Sequence, residues 1–323
     1  MKLVTFQEGK AGGGPLRLGA LLPGGDVLHL PPGAALYLEE TGAASKISLP
    51  DEMIPFLNLA EEGMELARRT VDFFGCLAAK ERSRINHRPG GSLILPGGEV
   101  RLKAPVPRPG KIIALGLNFQ EHALENRVPI PEIPIGFLKA SSAVIGPDDP
   151  VPYPRATTQL DYELELAIVI GKKGKDIPEG KAFEHVAGYT IFNDLSARDI
   201  QSREMKKRLL LLGKNLDGFA PMGPYLATPE EVGDPHDLAM ELFVNDESGP
   251  RQKSSTSRMI FKIPALVAYW SQMTLEPGDV ITSGTPGGVA LFRQPDPAPW
   301  FLKPGDTIKA RIEGLGILRN PIV

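Results

Sequence analysis

Glu163 and Glu165 stand one residue apart at the head of the run Leu164 to Ile170, which is short, largely apolar and rich in β-branched residues. Such a run reads as a mostly buried strand ending at Gly171. Side chains alternate along a strand, so the two carboxylates share a face. Two like charges about 4 Å apart repel by roughly 4 kcal/mol at an effective dielectric near 20, so a positive partner is expected between them. A hard cation such as Mg²⁺ or Mn²⁺ meets that need with oxygen ligands and leaves positions open for a substrate. Asp194 is the third candidate ligand, because it follows Val186 to Phe192, a second apolar run expected to form a neighbouring strand. The competing reading makes the glutamates the wet end of a strand and Asp194 the cap of a helix starting near Leu195.

His122 and Glu125 are three residues apart, so a helical turn over Gln120 to Asn126 would let the carboxylate orient the imidazole. The alternative is a surface histidine beside a surface glutamate. Lys139 and Lys214 each close an apolar run, a place from which lysines usually reach to solvent. Val280 to Val289 reads as a strand breaking into a glycine-rich loop whose amides and Thr285 hydroxyl could hold a carboxylate. It lacks the lysine arrangement of a phosphate loop.

These groups need a scaffold, and glycine with proline makes up about a fifth of the 323 residues, which fits many short strands joined by tight turns. The expected fold is β-rich α+β in two parts. Residues 1–104 form a small supporting α+β domain, with strands at Leu3 to Phe6, Arg17 to Leu22 and Asp26 to Leu30. One or two helices follow over Met53 to Ala79. The Pro/Gly-rich stretch Lys103 to Gly110 marks the boundary with residues 105–323, where the chemistry lies. The formal charge of −3 gives no basic field for nucleic acid. No apolar run is long enough to span a bilayer, and no signal-peptide core opens the chain. The single cysteine, Cys76, excludes an internal disulfide and points to a reducing cytoplasm.

Six motifs occur in order: Gly116 to Glu125, Phe137 to Lys139, Asp161 to Glu165, Asn193 to Gln201, Gly213-Lys214, and Ser283 to Val289. Together they resemble the fumarylacetoacetate hydrolase family from about Pro105 to Val323. The resemblance implies a mixed β-sandwich roll, usually a homodimer, with Mg²⁺ or Mn²⁺ held by Glu163, Glu165 and Asp194. It implies a His122–Glu125 dyad on a mobile lid and Lys214 beside the substrate. Lys139, Gln201 and Thr285 would also lie near the substrate, with Arg198 and Asp199 one layer behind. Two positions depart from the family pattern: Phe119 replaces a common tyrosine, and Asn215-Leu-Asp stands where Ser-Phe-Asp is usual. The implied reaction is metal-assisted cleavage of a C–C bond in a small 2,4-dioxo acid, of acylpyruvate type, with His122 activating water and Lys214 steadying the oxyanion. Oxaloacetate decarboxylation and 2-oxo acid isomerisation or tautomerisation are alternatives on the same site. A catalytically silent metal-binding scaffold is the alternative of another class.

Overall fold

The computed structural model describes residues 1–9, 11–77, 81, 84–85 and 92–323. Its strands in chain order are β1 (Lys2–Glu8), β2 (Arg17–Leu21), β3 (Val27–His29), β4 (Ile94–Leu95), β5 (Val100–Lys103), β6 (Ile112–Gly116), β7 (Ile135–Lys139), β8 (Val144–Ile145) and β9 (Leu160–Asp161). The series continues with β10 (Leu164–Ile170), β11 (Val186–Asn193), β12 (Ser196–Ala197), β13 (Ala220–Ala227), β14 (Ala239–Val244), β15 (Gln252–Ser255), β16 (Val280–Thr282), β17 (Thr307–Ile312) and β18 (Gly316–Pro321). The fold is sheet-dominated α+β. One 12-stranded mixed sheet runs β4-β3-β2-β1-β13-β11-β10-β16-β6-β7, with β5 on β1 and β8 on β13. The N-terminal strands are therefore hydrogen-bonded to the central ones through β1 and β13.

A second sheet, β15-β14-β17-β18, is apolar on one face. Met240, Leu242 and Val244 alternate with Ile308, Ala310 and Ile312 as its buried side chains, which is the pattern of a strand pair with one face on the core. β10 and β11 are buried along their whole length on both faces. They form the middle of the molecule, which is why their sequences read as continuous apolar runs rather than alternating ones.

The N-terminal helices cover the far end of the large sheet. The expected helical stretch is two helices, α2 (Met53–Leu57) and α3 (Ala60–Cys76), and its last expected residues, 78 and 79, lie outside the described residues. α3 buries Gly63, Leu66, Ala67, Thr70 and Phe74, a stripe at three- and four-residue spacing. An additional helix, α1 (Leu30–Thr41), begins where only strands were expected. Its Pro31 and Pro32 sit in the first turn, where a missing N–H costs nothing, so prolines that look like breakers start the helix. The helix expected near Leu195 begins instead at Arg198 (Arg198–Met205), because Ser196 and Ala197 are taken up pairing with β9. Among the described residues, no helix is long and apolar enough to cross a membrane.

Candidate functional site

β10 and β11 run antiparallel with Leu164 opposite Asn193 and Glu165 opposite Phe192. The ladder extends by one more step, since the Asp194 amide donates to the Glu163 carbonyl at 2.9 Å and the Asn193 side chain accepts from the Glu163 amide at 2.9 Å. This pairing places the third acid beside the first. Carboxylate oxygens of Glu163, Glu165 and Asp194 all lie within 4.8 Å of one another, and all three residues are buried.

Three cations crowd two of those acids. The Lys214 ammonium donates to Glu163 Oε2 and Asp194 Oδ2, each at 2.7 Å, and Lys139 donates to Asp194 Oδ1 at 2.6 Å and to the Lys214 carbonyl. Arg198 pairs with Glu163 Oε1 at 2.7 Å and donates from Nε to Asp161 Oδ2 at 2.8 Å. Burial opposes the ionised form of Glu163, but Lys214 and Arg198 outweigh it and hold its carboxyl well below the usual range. Glu165 is different. Burial, with Asp194 and Glu163 beside it, pushes its carboxyl well above the usual range. Its Oε2 accepts from the Gly284 amide at 3.1 Å, while the buried Oε1 has no hydrogen-bond partner among the described residues. A buried carboxylate oxygen without a partner is costly, and Glu165 already carries two further carboxylates beside it. An all-oxygen donor set with one orphaned oxygen fits a hard divalent cation.

Opposite the triad lies the short helix α4 (Gln120–Glu125), capped by Asn126. Leu117 before it and Arg127 after it both adopt left-handed backbone at φ +54°, a conformation that costs a non-glycine residue of order 1 kcal/mol or more. His122 Nδ1 faces Glu125 Oε2 at 3.7 Å, and Glu125 Oε1 accepts from the Gly288 amide at 2.7 Å. That approach requires glycines. A Cβ on Gly287 would meet Glu125 at 3.1 Å, and one on Gly288, at φ +99°, would lie 2.4 Å from the Arg251 carbonyl. Phe292 packs edge-on against the His122 ring, with centroids 5.8 Å apart.

A cavity of about 710 Å³ lies between α4 and the triad. His122, Glu163, Arg198, Gln201, Lys214 and Thr285 line it, together with apolar side chains such as Leu117, Phe137 and Phe292. Lys139 does not, being fully buried behind Asp194. Asp199 points elsewhere, accepting from Thr157 Oγ1 at 2.5 Å and from the Ile200 amide. Gln201 accepts from Arg198 at 3.0 Å. The Thr285 hydroxyl is spent internally, donating to the Leu164 carbonyl at 3.0 Å and accepting from Gln252 at 2.9 Å. Phe119 is fully buried.

Sequence reasoning assigned no role to Asp161, Gln252 or Asn126. Asp161 gathers Arg198 and the amides of Ala290 and Leu291, joining the triad's neighbour to the loop that carries Phe292. Gln252 reaches from the second sheet to the Leu164 amide and the Pro286 carbonyl. Neither set of contacts leaves a periodic signature, since every partner lies more than 30 residues away. Asn126 sits beside His122, as described below.

Comparison with known proteins places this geometry. The family model "Fumarylacetoacetate (FAA) hydrolase C-terminal" matches residues 111–323. The chain is 43% identical over 277 residues to the human protein "Oxaloacetate tautomerase FAHD2A, mitochondrial", covering 85% of this chain and 81% of that one. It is 39% identical over 324 residues to the Xenopus laevis protein "Oxaloacetate tautomerase fahd2, mitochondrial", covering 100% and 90%. Among solved structures it resembles a fumarylacetoacetate hydrolase from Exiguobacterium antarcticum, with a TM-score of 0.74, 33% identity, and coverage of 100% of this chain and 99% of that one. It also resembles maleylpyruvate hydrolase from Sphingobium sp. SYK-6 in complex with manganese(II) and pyruvate, with a TM-score of 0.70, 28% identity, and coverage of 100% and 99%. The expected cytoplasmic location is overturned by the relatives, whose names place them in mitochondria. With two thirds of its length matched by the family model and full-length relatives at about 40% identity, the chain belongs to the fumarylacetoacetate hydrolase family.

Proposed function

We propose that the protein is a divalent-metal-assisted enzyme acting on small 2-oxo acids, and that its reaction is keto–enol tautomerisation of a short dicarboxylic substrate such as oxaloacetate. Glu163, Glu165 and Asp194 would hold Mg²⁺ or Mn²⁺. The chemistry such an ion supplies when bound is Lewis-acid polarisation of the substrate's carboxylate and 2-oxo oxygens.

The observation that carries the reading is the engagement of the other donors. Lys214 is tied to Glu163 and Asp194, and the Thr285 hydroxyl is tied to Leu164. His122 is then the cavity-lining group placed to move a proton. Tautomerisation asks for nothing more: His122 takes a proton from C3, and the electron pair moves into the C2–C3 bond as the 2-oxo oxygen gains charge. The same imidazole can return the proton to that oxygen. Glu125 orients the ring, the apolar wall excludes water, and Arg198 holds Glu163 ionised. Lys206 on the cavity wall supplies a cation for the second carboxylate. Relatives with tautomerase names, one of them matched over the whole of this chain, support this reading over hydrolysis.

The size of the cavity favours a second reading. At about 710 Å³ it is large enough for a drug-sized ligand, well beyond a four-carbon acid, as acylpyruvate hydrolysis would require. The deciding experiment follows the ultraviolet absorbance of enol-oxaloacetate with metal-stripped and Mg²⁺- or Mn²⁺-loaded protein, beside acylpyruvate cleavage and oxaloacetate decarboxylation. Metal-dependent interconversion faster than cleavage is expected. Cleavage without accelerated interconversion would overturn the tautomerase assignment. We also infer a homodimer with most of its contact surface in residues 105–323, which sedimentation across micromolar concentrations tests.

A further inference from the structure

We propose that Asn126 is a positioning residue that sets which nitrogen of His122 carries the proton. The inference rests on His122 being the proton-transfer group. Asn126 caps α4 at φ −70° and ψ −13°, and its backbone amide donates to the His122 carbonyl at 3.1 Å. Its side-chain Nδ2 lies 3.1 Å from that same carbonyl and 3.2 Å from His122 Nε2. Both residues line the cavity.

The carbonyl fixes the orientation of the amide. A backbone oxygen only accepts, so the end of the side chain facing it must be the nitrogen; the reverse orientation would set two oxygens 3.1 Å apart. An amide nitrogen carries two hydrogens, one for the carbonyl and one for the ring. Nε2 therefore receives an N–H and must present its lone pair. The ring proton then belongs on Nδ1, the nitrogen that faces Glu125 Oε2 at 3.7 Å. Nδ1 has no hydrogen-bond partner among the described residues, so the carboxylate is the acceptor nearest to it. Acceptor on one side and donor on the other select the same neutral tautomer, and Phe292 against the ring opposes the rotation that would exchange the nitrogens.

The arrangement makes His122 a base with its lone pair held in reserve. When substrate enters, the C3–H bond breaks and the new N–H bond forms at Nε2, so the amide hydrogen must give way to the substrate proton. Glu125, whose Oε2 stands 3.7 Å from Nδ1, meanwhile balances the charge of the cationic ring. An aspartate at position 126 keeps the size but replaces the donor with an acceptor. It would draw the resting proton to Nε2 and leave no lone pair facing the substrate.

The test is nitrogen NMR of ¹⁵N-histidine-labelled, Mg²⁺-loaded protein at neutral pH, with the His122 ring signals identified by their loss in His122→Gln. The expected result is a protonated Nδ1 and an unprotonated Nε2 in the native protein, reversed in Asn126→Asp and mixed in Asn126→Ala. Partners that fix the tautomer of metal-ligating histidines are typically worth about 10- to 100-fold in activity, and a loss of that order is expected here. For Asn126→Asp that loss is expected in kcat, with KM changed little and the metal-induced rise in Tm intact. An unprotonated Nδ1 in the native protein, or ring signals unmoved by Asn126→Asp, would overturn the proposal. Full activity in His122→Ala would instead overturn the role of His122 and leave the tautomer readout standing, so the two failures are distinguishable.

Discussion

The two walls of the cavity are built on opposite principles. The acidic wall stands on β10 and β11, buried on both faces, and Glu163 and Asp194 are each braced by two cations. The other wall stands on the six residues of α4 between left-handed Leu117 and Arg127, with Leu124 77% exposed and one polar atom each of Glu121, His122 and Glu125 without a hydrogen bond among the described residues. The first wall is preorganised against like-charge repulsion, which no loose segment could contain. The second carries His122, the proton carrier of the reaction proposed above, on a short helix whose Leu124 is exposed. Chemistry that needs both a fixed charge cluster and a proton shuttle divides along this line.

The largest effect is expected where the acidic wall loses its charge. In Glu163→Gln/Glu165→Gln, activity should fall to background and the metal-induced rise in Tm should vanish. A ligand that binds only the folded state contributes about 2.7 kcal/mol at about 100 times its Kd. Thermal unfolding over a Mg²⁺ or Mn²⁺ titration reads this directly, and an unchanged shift would remove these residues as ligands.

Damage to the α4 wall should look different. His122→Ala removes the proposed proton carrier and should lower the proposed tautomerisation rate by about 10²- to 10⁴-fold, while the metal-induced Tm shift stays as in the native protein. Glu125→Gln should follow more weakly, because the imidazole remains. Steady-state kinetics at saturating Mn²⁺, with metal content measured, separates a lost base from a lost cofactor. If His122→Ala also lost its metal response, the two walls would not be independent.

Arg198→Met probes the bracing itself. It leaves the carboxylates of Asp161 and Glu163 buried without their guanidinium, a change that typically costs about 3–5 kcal/mol. The expected outcome is a large drop in denaturation midpoint with partial recovery on adding metal, since a cation can compensate Glu163 but not Asp161. A stable variant would mean that Lys214 and Lys139 balance the cluster without the guanidinium.

How much of this was legible follows the range of each signal. Strand alternation is local, so Glu163 and Glu165 could be placed on one face, and the runs after them read as strands that the structure pairs. The three-residue spacing of His122 and Glu125 is equally local, and α4 turns where expected. The β-rich fold was legible from its short strands and turns, but α1 was not, because Pro31 and Pro32 break helices everywhere except the first turn, where they sit. Long-range contacts left no trace. Nothing in the spacing says that Gln252 reaches Leu164, that Asp161 gathers Arg198 with the 290–291 amides, or that Lys139 lies behind the acids rather than beside a substrate. Thr285 looked like a donor for a ligand because a sequence shows a hydroxyl without showing the carbonyl that occupies it. Asn126 lay within the predicted turn, yet its bearing on His122 depends on an amide orientation that only coordinates display.

The smallest effect is expected far from both walls, at Asp149, and it sharpens the claim that the acidic wall is braced locally. Asp149 joins the N-terminal strands to the rest of the sheet, accepting from Lys103 at 2.8 Å, Arg101 at 2.7 Å and the Gly146 amide at 2.9 Å. Burial alone would raise its carboxyl, but the hydrogen bonds from Lys103, Gly146 and Arg101 prevail and hold it below its ordinary value of 3.8. A carboxyl depressed in the folded state contributes stability that is fully present above its unfolded value and is lost as pH falls through the folded one. Asp149→Asn should therefore cost about 1.5–3 kcal/mol near neutral pH, the usual worth of hydrogen bonds to a charged group. The gap between variant and native protein should narrow as pH falls below 3.8 and close as it passes the depressed value of the folded carboxyl, where both carry a neutral side chain. Thermal melts of the two proteins from neutral to acidic pH measure the gap, and kcat with the metal-induced Tm shift should match the native values at neutral pH. A gap that widened on acidification would show that Asp149 is held neutral in the folded chain, and a lost metal response would show that the acidic wall depends on the whole sheet rather than on β10 and β11.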